Sequence, residues 1–281
     1  MRKTILFFCF LAMFQGLFAQ GKVSTRKYRL ADFQDKVTKV VLSGNELLDS
    51  ALQQEVVSVW TASAFEFCTP GEFETLRTNP QYYFLLTAES RFKGESQPGI
   101  LFLTLVKGDA AAAQGIAAMP EIVSLPLAAA PGGSARELIY LGALVQAVQE
   151  YTLAAMESEK TAYDMEGWFN ANYAKWGKMK RICVAREDIA APDTALERYL
   201  DSDFHVVEEA EADAKYQEGD FNTLVGYTVS PVFPEIGASY CYKMLFEADT
   251  HTLYYIRRHK ISAKNGAGFL KEDLKRIARK R

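Results

Sequence analysis

Short apolar runs alternate with amphipathic stretches along most of the chain, and the order of alternation is written twice. Residues 38–43 ("TKVVLS"), 64–68 ("AFEFC") and 82–89 ("YYFLLTAE") are rich in β-branched and aromatic residues and read as strands. Between the first two, residues 46–60 set Leu47, Leu48, Ala51, Leu52, Val56, Val59 and Trp60 on one broad helical face. Between the second and third, "TPGE" at 69–72 has the form of a capping box, with Thr69 as N-cap, Pro70 at the first helical position and Glu72 reaching back. The order is βαβαβ, and strands this apolar predict a parallel sheet buried on both faces.

The same order restarts at Arg181. "RICVARE" reads as a strand, 194–200 as a helix, "DFHVVEE" as a strand, 210–217 as a short acidic helix and 223–230 as a strand. Val40 then corresponds to Arg181 and Tyr83 to Leu224, both at an offset of 141. Residues 99–108 match 239–248, and 121–128 match 253–260, where the offset falls because a connection is shorter in the second copy. Both copies pass through a glycine turn into a closing helix. The expected fold class is α/β: two tandem related βαβαβββα units, each a mixed sheet with a parallel core and an antiparallel meander, flanked by helices.

The units are joined by residues 134–163, which read as one long helix. Leu138, Leu141, Val145, Val148, Thr152 and Ala155 form its a/d-type stripe, expected to pack within the chain. Residues 164–179 carry Trp168, Phe169, Tyr173 and Trp176, too aromatic for a flexible linker. The expected organisation is a signal peptide at 1–19, a first unit at 20–163, an aromatic connector at 164–179 and a second unit at 180–281.

The N-terminus changes the picture of location. Arg2 and Lys3 precede an apolar run from Ile5 to Phe14, and Leu17-Phe18-Ala19 offers a processing site, the layout of a secretory signal peptide cut after Ala19. The run is too short to span a bilayer, and no later segment is apolar enough, so a periplasmic or secreted protein is expected rather than an integral membrane one. The formal charge of −3 becomes −5 once Arg2 and Lys3 are removed, which does not suggest nucleic acid as a partner. Three cysteines remain, Cys68, Cys183 and Cys241, an odd number that reads as buried thiols, with one bridge plus a free thiol as the alternative.

Catalytic signatures are sparse. No HExxH, CxxC or GxSxG is present, no dinucleotide fingerprint appears, and the histidines are His205, His251 and His259. With Asp249 and Thr250 as the turn, Cys241 opposes Arg258 and His259 opposes Tyr240, so Cys241 and His259 point to opposite faces. No metal and no cofactor are expected. Cys68, at a strand end before a helix N-terminus with Glu66 and Glu72 near it, is the best reactive candidate. The other strand-end polar groups, Asn45, Glu46 and Glu89 in the first unit and Glu187, Asp188 and Glu208 in the second, are the candidate ligand contacts. The two glycine turns, 132–134 and 266–268, could hold an anion, although ordinary capping explains them.

The leading expectation is therefore an exported cell-envelope module that binds a small ligand or an envelope protein without catalysis, through a cleft between lobes or exposed charged faces. The alternative is a hydrolase using acidic residues at the strand ends, with Cys68 as an outside candidate. Convergence of the strand-end groups in an open pocket separates the two.

Overall fold

A computed structural model describes residues 30–278; the expected signal peptide and residues 279–281 lie outside them. In the first sheet, β1 (Val37–Val41), β2 (Ala64–Cys68), β3 (Tyr82–Ser90), β4 (Ile100–Lys107) and β5 (Glu121–Ala129) take the order β2-β1-β3-β4-β5. In the second, β6 (Arg181–Ala185), β7 (Phe204–Val207), β8 (Thr223–Val229), β9 (Tyr240–Glu247) and β10 (Leu253–Lys260) take the order β7-β6-β8-β9-β10. In each sheet three strands pair in parallel and a meander adds two antiparallel pairings, so that only β4 and β9 run against the rest. Both units have the expected mixed topology.

The local chemistry explains the elements. Helix α1 (Glu46–Val59) starts at Asn45, whose side chain accepts from the Leu48 amide, and it buries Leu48, Leu52 and Val56 at helical spacing. Leu47 is not on that face: it is 64% exposed, so the apolar stripe is narrower than expected. Helix α2 (Pro70–Leu76) has the expected capping box, with Thr69 and Glu72 bonded reciprocally. β3 is buried on both sides, with Tyr83 and Leu85 in one core cluster and Phe84 and Leu86 in another, which is why the run is apolar without alternation.

The second unit is a contracted copy. Its first crossover helix, α6 (Asp193–Tyr199), has 7 residues against 14 in α1. The parallel pairings record the difference: Val37 lies opposite Tyr82, 45 residues on, but Arg181 lies opposite Thr223, only 42 on. The uniform offset of 141 is thus corrected at the first strand, and the match for Val40 is Val184, beside Gly226, rather than Arg181. Gly226 stands where the first copy has Leu85. A Cβ there would meet Val184 at 3.0 Å and the Phe269 ring at 3.4 Å, so Phe269 takes the room of the missing side chain.

The segment at 134–163 is not one helix. Helix α3 spans Glu137–Glu157, and Ser158 breaks it and caps the short α4 (Glu159–Ala162). α3 is buried nearly all round: Leu141, Val145, Val148, Thr152 and Ala155 of the expected stripe are joined by Tyr140, Ala143, Leu144, Ala147 and Tyr151. It packs on α1 and β5 of the first unit, while Tyr140 stacks on Tyr227 at 4.4 Å and meets Tyr216 and Phe246 of the second. Each fully buried aliphatic side chain contributes about 1.5–3 kcal/mol. One core cluster takes in a face of both sheets. The expected cleft between lobes is therefore filled. The aromatic connector forms α5 (Met165–Trp176), which buries Phe169 and Tyr173 against the body and leaves Trp176 exposed.

Candidate functional site

In a parallel sheet, ligands favour the carboxyl ends of the strands, so both such edges were the natural place for the candidate residues to meet. In the first unit they do not converge. After β1, the Asp49 carboxylate accepts from the Ser43 amide (2.7 Å), the Ser43 hydroxyl (2.8 Å) and the Gly44 amide (2.8 Å). A nest of donors that could hold an anion is thus satisfied by the chain itself. Asn45 caps α1, and Glu46 and Glu89 are exposed. Glu66 is paired with Lys39 across the β1–β2 ladder, and Glu72 is held in the capping box, which keeps its carboxyl below the ordinary range.

Cys68 is 3% exposed, and burial pushes its thiol up to about 11, with the Glu72 charge adding and Lys39 opposing. Burial thus works against the thiolate that a helix N-terminus would favour. Cys183 and Cys241 are also pushed up to about 11 by burial. All three thiols are free, so the one-bridge alternative does not hold.

In the second unit the edge is occupied by one side chain from the inter-unit segment. Arg136, just before α3, reaches over β8. Its Nη1 donates to Asp188 (2.9 Å), its Nε to both oxygens of Asp213 (2.9 Å each), and its Nη2 lies 3.4 Å from the Gly226 carbonyl. Asp188 follows β6, and Asp213 sits on α7 (Glu209–Gln217). Thr228 donates to Asp188, and the Tyr140 hydroxyl donates to Asp213 at 2.8 Å. The guanidinium lies 5.3 Å from the Tyr227 ring and 5.7 Å from the Tyr140 ring. Burial works against its charge, but Asp188, Tyr140 and Asp213 outweigh burial and raise its pKa. Asp188 is raised by burial, with Arg136 and Thr228 countering. The Arg136–Asp188 pair is ionised, because an arginine retains its proton and a charge-assisted hydrogen bond of 2.9 Å suits the charged form. Glu187 and Glu208, the other candidates on this edge, are exposed and stand outside the network.

A second buried ion pair lies on the face of the same sheet that carries Thr228, which Lys243 opposes in the β8–β9 ladder. Lys243 Nζ donates to Asp273 on α8 (Lys271–Ile277) at 2.8 Å, and Asp273 also accepts from Tyr255 (2.9 Å) and the Leu270 amide (2.9 Å). His259 accepts from Lys243 at Nδ1 (2.9 Å) and donates from Nε2 to the Gly266 carbonyl (2.8 Å). Cys241 lies directly opposite His259, not Arg258. A register shift between Leu253 and Tyr255 moves the ladder by one and puts both side chains on one face, which corrects the opposite-face argument. Cys241 instead accepts from the Gly268 amide at 3.1 Å. Among the described residues no group of three or more His, Cys, Asp or Glu is placed to hold a metal.

The glycine turns are also committed. Gly133 faces the Glu137 carboxylate. Gly268 has φ +119, and a Cβ there would stand 2.5 Å from the Asp188 carbonyl, so the turn serves close packing of α8 on the β6 end. A small concavity of about 170 Å³ beside β6 and β7 is lined by Arg181, Cys183, His205, Glu211, Lys215 and Asp220. It is below the roughly 300–1,000 Å³ of typical ligand pockets.

Sequence reasoning named Asp188 but missed Arg136, Asp213, Lys243 and Asp273. Lys243 carried a readable signal, a lone cation inside the apolar run "YCYKMLF". Arg136 carried none, because its partners lie 52 and 77 residues away. No helix among the described residues is long and apolar enough to cross a membrane. No protein-family profile matches the chain, and no curated protein or solved structure is similar to it.

Proposed function

We propose that this chain is a non-catalytic binding or assembly module, exported to the cell envelope, that meets its partner through exposed surface rather than through a pocket. One observation carries this reading. The strand edge where an α/β enzyme gathers its reactive groups is filled here by Arg136, held by Asp188 and Asp213. A catalytic group must reach its substrate, and this set is saturated by its own partners. In the first unit Cys68 is buried with a raised pKa, and Glu66 and Glu72 each hold a structural contact.

The test compares one measurement in the envelope with one on the purified chain. Cross-linking in intact envelopes, followed by mass spectrometry, is expected to give a recurrent partner attached through exposed residues. A panel of ester, peptide, glycoside and phosphate substrates is expected to show no turnover. Hydrolysis that disappears in Cys68→Ala or Glu66→Gln overturns the reading in favour of the hydrolase.

A further inference from the structure

The loop between β8 and β9 has a composition that the fold does not require. Residues 231–236 read "PVFPEI", and its apolar side chains point away from the body: Val232 is 54% exposed, Phe233 89% and Ile236 64%. Phe233 is more exposed than any other large apolar side chain among the described residues. Isolated exposed apolar residues need no explanation, but three within five positions at one loop apex do.

The loop is fixed rather than loose. The Glu235 carboxylate accepts from both the amide and the hydroxyl of Ser96, each at 2.6 Å, which ties it to the β3–β4 loop of the first unit. The Glu235 amide donates to Ser239 Oγ at 2.9 Å, and the Gly237 amide donates to the Ile261 carbonyl at 2.9 Å. With the backbone anchored on both sides, the apolar side chains cannot fold back into the core.

The rim of this apex is basic. A Cβ on Gly94 would meet the Ala238 methyl at 3.2 Å, so Lys93 stands beside the end of the loop. Phe92 packs on Tyr240 at 4.7 Å, and Lys260 lies 5.9 Å from the same Tyr240 ring. Lys264 follows on the Ile261 side. Lys93, Lys260 and Lys264 are exposed, and none has an ion pair with another described residue. Of the nearby acids, Glu95 is buried with one oxygen on the Phe92 amide, while Glu235 is held ionised by its bonds from Ser96, so the three lysines outnumber one ionised carboxylate at this rim. In a chain of net charge −3 this rim is locally positive.

We infer that this apex docks on a bilayer surface containing anionic phospholipid, with Phe233, Ile236 and Val232 entering the headgroup boundary and Lys93, Lys260 and Lys264 facing the lipid phosphates. A protruding apolar tip behind which cations are set back suits a fluid surface that closes around it. A rigid protein partner would need a matching pocket. The inference rests on the surface-recognition reading above and names its partner. Vesicle binding and substrate turnover are separate measurements, so failure of the first overturns this inference alone and success of the second overturns that reading alone.

The experiment is co-sedimentation of the full chain, and of a second preparation starting at Gln20, with vesicles of phosphatidylcholine alone or with phosphatidylglycerol. The second preparation prevents the apolar N-terminus from accounting for binding. Binding is expected with phosphatidylglycerol, weaker without it and weaker in high salt. Phe233→Ser with Ile236→Ser is expected to weaken binding more than about tenfold, and removal of each lysine roughly fivefold. Circular dichroism checks that the variants remain folded, which exposed positions favour. Failure of the chain to sediment with anionic vesicles, binding unchanged in the Phe233/Ile236 variant, or cross-linking of that loop to a protein with no vesicle binding would each overturn the inference.

Discussion

The two units share a strand order yet treat charge in opposite ways. In the first, the ion pairs lie at the surface: Lys39 with Glu66, and Asp32 with Lys36 and Lys107, have partners 61% and 41% exposed. In the second, Arg136 with Asp188 and Lys243 with Asp273 are both buried. The difference follows from position. The first sheet keeps its α2 face under 3-10 turns at Ala110–Gln114 and Ile116–Ala118, whereas the corresponding face of the second is covered by α3 and the first unit. Strand ends that would meet water in a lone unit are enclosed, and enclosed charges need partners. Duplication repeated the topology; packing of one copy on the other encloses Arg136 and its partners, while Lys243 and Asp273 are enclosed within the second unit itself, beside Tyr255 and α8.

The largest test of that contrast is removal of one buried partner. Arg136→Met leaves Asp188 and Asp213 buried without that counter-charge, and Lys243→Met leaves Asp273 with only the more distant Arg257, 3.8 Å away. Each is expected to destabilise the chain by about 3–5 kcal/mol in urea unfolding. If the arginine network serves stability only through pairing, Arg136→Met combined with Asp188→Leu and Asp213→Leu should recover most of the loss. No recovery would mean that the network fixes the approach of the two units.

A smaller effect separates the capped crossover helix α2 from its uncapped counterpart α7. Thr69→Ala removes the cap of α2 and is expected to cost about 1 kcal/mol. Glu208→Ala, at the corresponding N-cap of α7 where no side-chain cap bond exists, should be nearly neutral in the same thermal unfolding series. Equal losses would break the comparison. Smaller again is Lys39→Ala on the exposed pair with Glu66, expected to stay within about 1 kcal/mol.

The last test is pH. His259 is held below its ordinary 6.5 by burial and by the Lys243 charge, with Gly266 and Asp273 opposing and Arg257 adding. Between the folded and unfolded pKa the unfolded chain binds the extra proton. Its contribution is therefore complete above about 6.5 and is lost as pH falls through the lower folded value. Asp32 and Glu72 are likewise lowered: burial of Asp32 is outweighed by bonds from Lys36 and Lys107, and Glu72 is held by Thr69. Their contributions disappear only in the acid range. His259→Gln should flatten the stability curve just below 6.5 and leave the acid limb in place.

Much of the fold was legible because burial selects for period rather than identity. Strand runs such as "YYFLLTAE" and the capping box at Thr69 encode their structure within a few residues. The site was less legible. Asp188 stood out as a strand-end acid, but its meaning depends on Arg136, which local pattern could not bring to it. Cys68 read as activated because its neighbours in sequence suggested a helix N-terminus, while its burial comes from Val41, Phe73 and Phe84 across the core. The one-residue error between Cys241 and His259 has the same origin, since a bulge shifts register without a clear local signal.

The sequence by itself thus determined the order and type of elements, the parallel core in each unit and the repetition, because hydrophobic period and capping act over short range. Tertiary structure alone decided that α3 is enclosed between the units, that no cleft remains there, and that Arg136 occupies the strand edge of the second sheet. Those outcomes depend on partners tens of residues apart, where the low-dielectric interior makes an unpaired charge costly and so fixes which distant side chains must meet.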